Sequence, residues 1–235
     1  MSRDRKNLKA KLIAPHNIHD VGLSEVLIGD VKAARQSLKR SESDYARRTY
    51  VRTVFAAIEG YITIIRGRAM LAHAPGRKSL TVADFAILRE ETYIIENGKS
   101  ATKPRFNSIG QTFQFSIMVF QKAWMLPEKV HTDCNGFRAF KAAVLVRNRI
   151  THPRQLSEMT VSKKEIEDAS LAYKFVRYSV TKAMADTTIY VQQFLEHGTV
   201  LVDGVAKAKV KPSRNAQKIH ARLQILAKEC GIANP

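Results

Sequence analysis

The sequence predicts an all-α protein, a helical bundle followed by a small basic C-terminal appendage with a short β-hairpin. Apolar residues recur at spacings of three and four through most of the first 197 residues, which is the period of an amphipathic helix. Hydrophobic residues make up 45% of the 235 residues, enough for a sizeable core. We therefore expect a basic N-terminal arm at 1–20, a bundle at 21–197 and the appendage at 198–235.

Each predicted helix has an apolar stripe and is bounded by capping residues, glycine or proline. The hairpin of the appendage is expected over 199–211, where Asp203-Gly204 is a favoured turn. A loop is expected over 99–107. The helices, with approximate bounds, are 23–39, 45–73, 81–98, 108–125, 133–151, a long helix after the Ser162–Glu165 capping box, and a basic helix at 213–231.

The apolar stripes also predict which side chains form the core. In the 45–73 helix they include Val51, Val54, Phe55, Ile58, Ile62, Ile65 and Ala69. The aromatic residues of the 108–125 helix are interpreted as core, because aromatic residues at helical spacing usually pack inward. The helix after Ser162 has a heptad-like stripe, which suits either a dimer seam or a core face within one subunit.

The charge of the chain points to an anionic partner. Lys and Arg number 39 against 21 acidic residues, a formal net charge of +18. RNA, DNA and an anionic membrane are the candidates, and a solubilising surface is the alternative. No apolar run approaches a membrane span, and no signal core follows the charged N-terminus. With two isolated cysteines and no disulfide framework, we expect a cytoplasmic protein that binds nucleic acid and no membrane.

The motif that organises the chain is Arg147-Asn148-Arg-Ile-Thr-His152-Pro153. The proline predicts that the helix ends at His152. Asn148 and His152 are four residues apart on one helix side, so the Asn148 amide is expected to hydrogen-bond the imidazole and fix its orientation. His152 is the proton carrier, and the planar fork of Arg147 matches the oxygens of a phosphate.

An arginine beside a histidine suits metal-independent RNA cleavage, in which a proton moves from the 2′-OH and a cation stabilises the phosphoryl oxygens. No metal-ligand motif appears, and no metal or cofactor is expected. Because each chain supplies one motif histidine, a second proton carrier would come from a partner chain, which favours a homodimer. Glu59 and Arg52, on one stripe of the 45–73 helix, are candidate supporting residues, although Glu59 fits an ordinary surface charge equally well. The candidate RNA-binding residues are Arg149, Arg154, Lys207, Lys209, Lys211 and Arg214.

The motif Arg147-Asn-x-x-x-His152, at the end of one helix and before a long capped helix, resembles the signature of the HEPN superfamily (higher eukaryotes and prokaryotes nucleotide-binding). The run Phe55-Ala-Ala-Ile-Glu59-Gly-Tyr61 is also similar to the second core helix of several HEPN groups. The resemblance implies a dimerising bundle, with both motif copies at one cleft. It implies a metal-independent endoribonuclease in toxin–antitoxin, abortive-infection or phage-defence systems, with an antitoxin or regulatory protein as partner.

The resemblance further implies that Arg147 and His152 are catalytic and that Asn148 supports them. The chain departs from the minimal HEPN pattern in its 81–98 segment and its basic appendage. A non-catalytic RNA-binding or regulatory HEPN module is the alternative function. An unrelated helical scaffold, in which the motif only caps a helix, is the third.

Overall fold

A computed structural model describes residues 16–71, 80–124, 126, 130–197 and 214–232, and it is mostly helical, as predicted. For 16–21, 188–197 and 214–216 it describes the backbone alone. A 3-10 turn spans Leu156–Met159, and a two-stranded sheet is formed by β1 (Glu91–Glu96) and β2 (Lys99–Pro104). The helices are α1 (His16–Arg40), α2 (Asp44–Leu71), α3 (Val82–Leu88), α4 (Ile109–Ala123), α5 (Asn135–Thr151), α6 (Lys163–His197) and α7 (Arg214–Glu229).

Helix α2 runs through the middle of the core. It packs against α1, α4 and α6, and α6 packs in turn against α5 and α7. The predicted stripe of α2 is confirmed, because all seven of its apolar residues are buried. Burying side chains of this size contributes about 1.5–3 kcal/mol each, so the stripe fixes α2 relative to three neighbours.

An aromatic cluster joins α4, α5 and α6. Phe113 of α4 lies 5.4 Å from Phe140 of α5 and 5.7 Å from Phe175 of α6, measured between ring centroids, and both contacts are edge-to-face. Phe137 adds a similar contact to Phe175, at 5.8 Å. Such pairs stabilise by about 0.5–1.5 kcal/mol beyond their buried area. The prediction that these aromatic residues form core is confirmed, and the cluster holds the first turns of α5.

The predicted helix at 81–98 is wrong beyond Leu88. The capping box of Thr81 and Asp84 starts α3 as expected, but Arg89 ends it and Glu90 takes a φ of 57°. Residues 91–104 form an antiparallel hairpin, which also replaces most of the loop expected at 99–107. Its two-residue turn is Asn97-Gly98, with φ values of 52° and 72°, the conformation that favours Asn-Gly in hairpins.

The ends of the chain differ from their predicted boundaries. Helix α1 begins at His16, so it includes 16–20 of the expected arm, and residues 1–15 lie outside the described part. Val26, expected on the apolar side of that helix, is exposed. The hairpin expected at 199–211 also lies outside the described residues.

Helix α7 packs on α6 and buries its apolar residues in the same core as the bundle. Its end also reaches α5, where the backbone N–H of Gly136 donates to the Cys230 carbonyl at 2.9 Å. Residues 214–232 of the expected appendage therefore pack as part of the bundle. The buried residues are Leu223, Ala227, Cys230 and Ile232.

The heptad-like stripe of α6 is a core face within one subunit as far as Thr187. Ala169, Tyr173, Val176, Val180 and Ala183 are buried against the chain's own helices. Of the two uses that the spacing allowed, the core face is confirmed for this part of α6. No helix in the described ranges has the length and apolar character needed to cross a membrane.

Candidate active site at the end of helix α5

Helix α5 carries the motif and ends where the sequence predicts. Cys134 caps its first turn by accepting the Phe137 backbone N–H at 3.4 Å, and Thr151 is its last residue. The His152 N–H still donates to the Asn148 carbonyl at 3.0 Å, but its φ of −127° and ψ of 60° are no longer helical. Pro153 explains the stop, because it disfavours helical geometry in the preceding residue.

Arg147 bridges two helices at the motif. One guanidinium nitrogen, Nη2, lies 2.8 Å from Oε1 of Glu59 on α2, and the other, Nη1, donates to the Asn148 side-chain oxygen at 3.2 Å. The Arg147 and Glu59 side chains are 32% and 46% exposed. An ion pair that open contributes about 0–1 kcal/mol to stability. The pair therefore sets the position of Arg147 more than it stabilises the fold, and Glu59 does lie at the motif.

The predicted hydrogen bond between Asn148 and the His152 imidazole is wrong. The amide oxygen of Asn148 accepts from Arg147, which is a charged donor next to it in the chain. His152 has left helical geometry, so the rule that residues four apart face each other no longer applies to it. Its side chain is exposed, and in the described part of the chain it has no hydrogen-bond partner.

Four arginines hold the end of α5 and the loop after it by binding backbone carbonyls. A helix ends with carbonyls that lack intrahelical partners, and arginine side chains satisfy them. We call these four residues the arginine clamp. Arg52 donates to Ile150 O at 3.1 Å, Arg48 to Met159 O at 3.2 Å, Arg149 to Thr160 O at 2.8 Å and Arg47 to Val161 O at 3.0 Å.

The clamp gives Arg52 and Arg149 their roles. Arg52 supports the motif, as expected, through the carbonyl two residues before His152. Arg149 was expected to bind RNA, but its guanidinium is engaged by Thr160 O and, at 3.0 Å, by Oε1 of Glu165. The sequence indicated Arg48 and Arg52 as neighbours of one stripe. It gave no signal for Arg47, because nothing in a sequence shows which loop carbonyl an arginine will meet.

Glu165 joins the clamp to the start of α6. The predicted capping box is confirmed: the Ser162 N–H donates to Oε2 of Glu165 at 2.8 Å, and the Glu165 N–H donates to Ser162 Oγ at 3.3 Å. Burial opposes ionisation of this carboxyl, but the hydrogen bonds from Ser162 and Arg149 outweigh it and lower its pKa. The carboxylate is therefore charged at neutral pH and completes a link from α5 through Arg149 to α6.

The remaining candidate residues are placed differently. The Arg154 side chain is exposed, and its backbone N–H donates to Oε2 of Glu158 at 2.7 Å. Lys207, Lys209 and Lys211 lie outside the described residues, and Arg214 is described only as the start of α7. No group of three or more His, Cys, Asp or Glu residues that could hold a metal ion occurs within the described ranges.

Two exposed leucines near the motif were not expected. Leu145 lies on the solvent side of α5, three residues before Asn148 and seven before His152, and is 71% exposed. Leu156 is exposed in the loop after Pro153. In the sequence, Leu145 is indistinguishable from the apolar residues that α5 buries, and only the helix rotation separates them. No family model, curated protein or solved structure matches this chain.

Proposed function

We propose that the chain is a metal-independent endoribonuclease of HEPN type, acting at the end of α5. One observation carries the proposal: an exposed imidazole, that of His152, follows a helix end that the arginine clamp holds in place, with Arg147 on the last turns of the same helix. Arg147 and His152 are the proposed catalytic residues. Asn148 supports Arg147 rather than His152, because its amide oxygen binds the guanidinium.

The proposed reaction is a transfer of the phosphoryl group within the RNA. The ribose 2′-oxygen attacks phosphorus and the bond to the 5′-oxygen breaks, which leaves a 2′,3′-cyclic phosphate and a 5′-OH. One histidine takes the 2′-OH proton and another group gives a proton to the leaving oxygen. Arg147 stabilises the charge on the phosphoryl oxygens, and its partial exposure leaves it accessible to them.

A homodimer would supply the second proton carrier. Leu145 supports this arrangement, because an apolar side chain exposed beside the motif is favoured where another protein surface covers it. We propose that two chains meet at this face and that both His152 side chains serve one cleft. The proposed setting is a toxin–antitoxin or phage-defence system in the cytoplasm, with an antitoxin or regulatory protein as a further partner. The HEPN resemblance of the motif supports that setting.

The test is cleavage of total RNA by the purified protein in EDTA, beside two histidine variants. His152→Ala is expected to lose cleavage. His220→Ala is the matched control, because His220 is an exposed histidine of α7 whose ring contacts Gln224 at 3.1 Å, outside the motif. The control is expected to cleave like the wild type. Products ending in a 2′,3′-cyclic phosphate support the mechanism, and 3′-OH ends or a strict Mg²⁺ requirement refute it.

A non-catalytic RNA-binding or regulatory module is the second candidate. The ion pair between Glu59 and Arg147 favours it, because the carboxylate competes with a phosphate for the guanidinium. If neither the wild type nor His152→Ala cleaves RNA, while both retain it at low salt, the motif has a binding or structural role. If neither protein retains RNA at low salt, both nucleic-acid functions fail, since phosphate contacts are strongest there.

A further inference from the structure

The β1–β2 hairpin projects from the bundle with its large side chains uncovered. None of the residues of either strand is buried. Tyr93 and Ile95 are 54% and 85% exposed on β1, and Phe106, two residues past β2, is 86% exposed. Exposed rings and branched side chains this close together mark a binding surface more often than an unused one.

The base of the hairpin is fixed on the same stripe of α2 that contacts the motif. The Arg105 N–H donates to the Glu90 carbonyl at 2.6 Å and closes the base. The Glu90 carboxylate is paired with Arg66 of α2 at 2.9 Å. Arg66 lies seven residues after Glu59, which holds Arg147. Seven residues of helix span about 10 Å and return to nearly the same side, so the hairpin leaves the bundle about 10 Å along α2 from the motif.

The charges of the hairpin differ between its two strands. From Lys99 to Phe106 the chain carries three cations, Lys99, Lys103 and Arg105, and no acidic residue, and all three are exposed. The acidic residues are at the ends of β1, and Glu96 lies opposite Lys99 in the register. The second strand and its extension therefore form a cationic edge that ends in an aromatic ring.

We propose that this hairpin and Phe106 bind single-stranded RNA and guide it to the end of α5. Tyr93 and Phe106 stack on unpaired bases, and Lys103 and Arg105 contact the phosphates between them. An aromatic ring next to cations is how proteins hold single strands, and a base inside a duplex offers no free face for stacking. This inference rests on the proposed ribonuclease function and names the form of its substrate.

The test measures how tightly the full-length protein binds a fluorescent, mixed-sequence, 2′-O-methylated oligoribonucleotide, which lacks the 2′-OH needed for cleavage. Tyr93→Leu and Phe106→Leu keep apolar bulk but remove the rings. Each is expected to weaken binding about 5- to 150-fold, the range of one base stack on an aromatic ring. Tyr93→Phe keeps the ring and is expected to bind like the wild type. These positions are exposed, so thermal unfolding of all three variants should match the wild type.

Two further variants separate the ring and charge contributions. Ile95→Ser removes the most exposed aliphatic side chain of the hairpin and is expected to leave RNA binding unchanged. A loss as large as that from Tyr93→Leu would overturn stacking in favour of an apolar docking face for a protein. The double change Lys103→Gln and Arg105→Gln is expected to lower the salt dependence of binding by about 0.7 logarithmic units per lost phosphate contact.

The inference and the proposed function fail in different ways. If the wild type cleaves RNA while Tyr93→Leu and Phe106→Leu bind like Tyr93→Phe, the guide is overturned and the nuclease stands. If the leucine variants lose binding while the wild type cleaves nothing, the hairpin remains an RNA-binding surface and the nuclease is overturned. Equal affinity of the wild type for the single strand and for its duplex would also overturn the guide.

Discussion

Arg149 is the residue that connects the motif helix to the helix after it. Its guanidinium lies within hydrogen-bond distance of Thr160 O and of the Glu165 carboxylate, so one side chain spans the loop from α5 to α6. Its planar fork can do this because its nitrogens donate in several directions at once. A lysine at this position would keep the charge but could not hold both acceptors in a fixed geometry.

The lowered pKa of Glu165 predicts how the stability depends on pH. A carboxyl whose pKa is lower in the folded chain stabilises the fold above its unfolded pKa, and this contribution is lost as the pH falls through the folded pKa. The usual value is 4.5. The difference in unfolding free energy between the wild type and Glu165→Gln is therefore expected to be constant from neutral pH to about pH 5.5 and to shrink below pH 4.5. Urea titrations across this range measure it.

Glu42→Gln is the control for that titration. Glu42 is paired with Arg47 at 3.0 Å, but its side chain is 62% exposed, so solvent screens the pair. Its substitution is expected to cost little at any pH. A Glu165→Gln difference that stays constant down to pH 3 would contradict the role of the ionised carboxylate.

The motif residues show how far a sequence can predict a site. Arg147 and His152 were located by spacing and by Pro153, because a proline after a helical stripe fixes where the helix ends. The partner of Asn148 was wrong, because helical spacing was applied to His152, which had already left the helix. The engagement of Arg149 could not be predicted, since it depends on a contact with the loop at Thr160.

At the scale of the element, the start of α5 depends on a glycine. A Cβ on Gly136 would lie 2.9 Å from the Phe175 Cβ and 3.0 Å from the Cys230 Cβ, and neither atom is at the flexible end of a side chain. Gly136→Ala is therefore expected to destabilise the fold by about 1–3 kcal/mol, the cost of overpacking a core. Chemical denaturation measures this loss directly.

Gly67→Ala is the matched control on another helix. A Cβ on Gly67, inside α2, would have no atom within 4 Å. Alanine is favoured over glycine in a helix by about 0.8–1.0 kcal/mol, so this variant is expected to be more stable than the wild type. Equal effects of the two substitutions would contradict the close packing of α5 against α6 and the end of α7.

The hairpin is the element that the sequence analysis missed. Gly98 fits a helix stop, but Asn97-Gly98 is also the preferred two-residue hairpin turn. The residues before it, Thr92 to Ile95, are β-branched or aromatic, which favours a strand. Helical periodicity outweighed both signals in the prediction. Long amphipathic helices were predicted well because their stripes repeat over many turns, whereas a six-residue strand offers no such repetition.

The charge of the whole molecule sets how RNA would be attracted, but not where it would be cut. A net charge of +18 raises association with any polyanion and does so at long range. The arginines of the clamp bind carbonyls or carboxylates of the chain itself, so part of this charge serves the fold. The exposed Lys99, Lys103, Arg105 and Arg154 are the cations that remain for phosphate near the hairpin and the motif.

The proposed cleft between two chains makes a prediction about mixed dimers. If one site needs His152 from both subunits, a dimer of one wild-type and one His152→Ala chain is expected to have almost no activity. If each chain holds a complete site, the mixed dimer should keep about half of the wild-type activity. Two different affinity tags allow the mixed dimer to be purified in two steps and assayed on RNA.

The matched dimer for this assay pairs a wild-type chain with a His220→Ala chain. His220 lies on α7, and this dimer should be fully active, which shows that the tags and the mixing do no harm. Leu145→Glu provides an independent check, because a carboxylate in an apolar contact between subunits is expected to release monomers in light scattering. Retention of half the activity by the wild-type and His152→Ala dimer would place both proton carriers within one chain, and the second carrier would then have to be sought around Arg147 and Glu59.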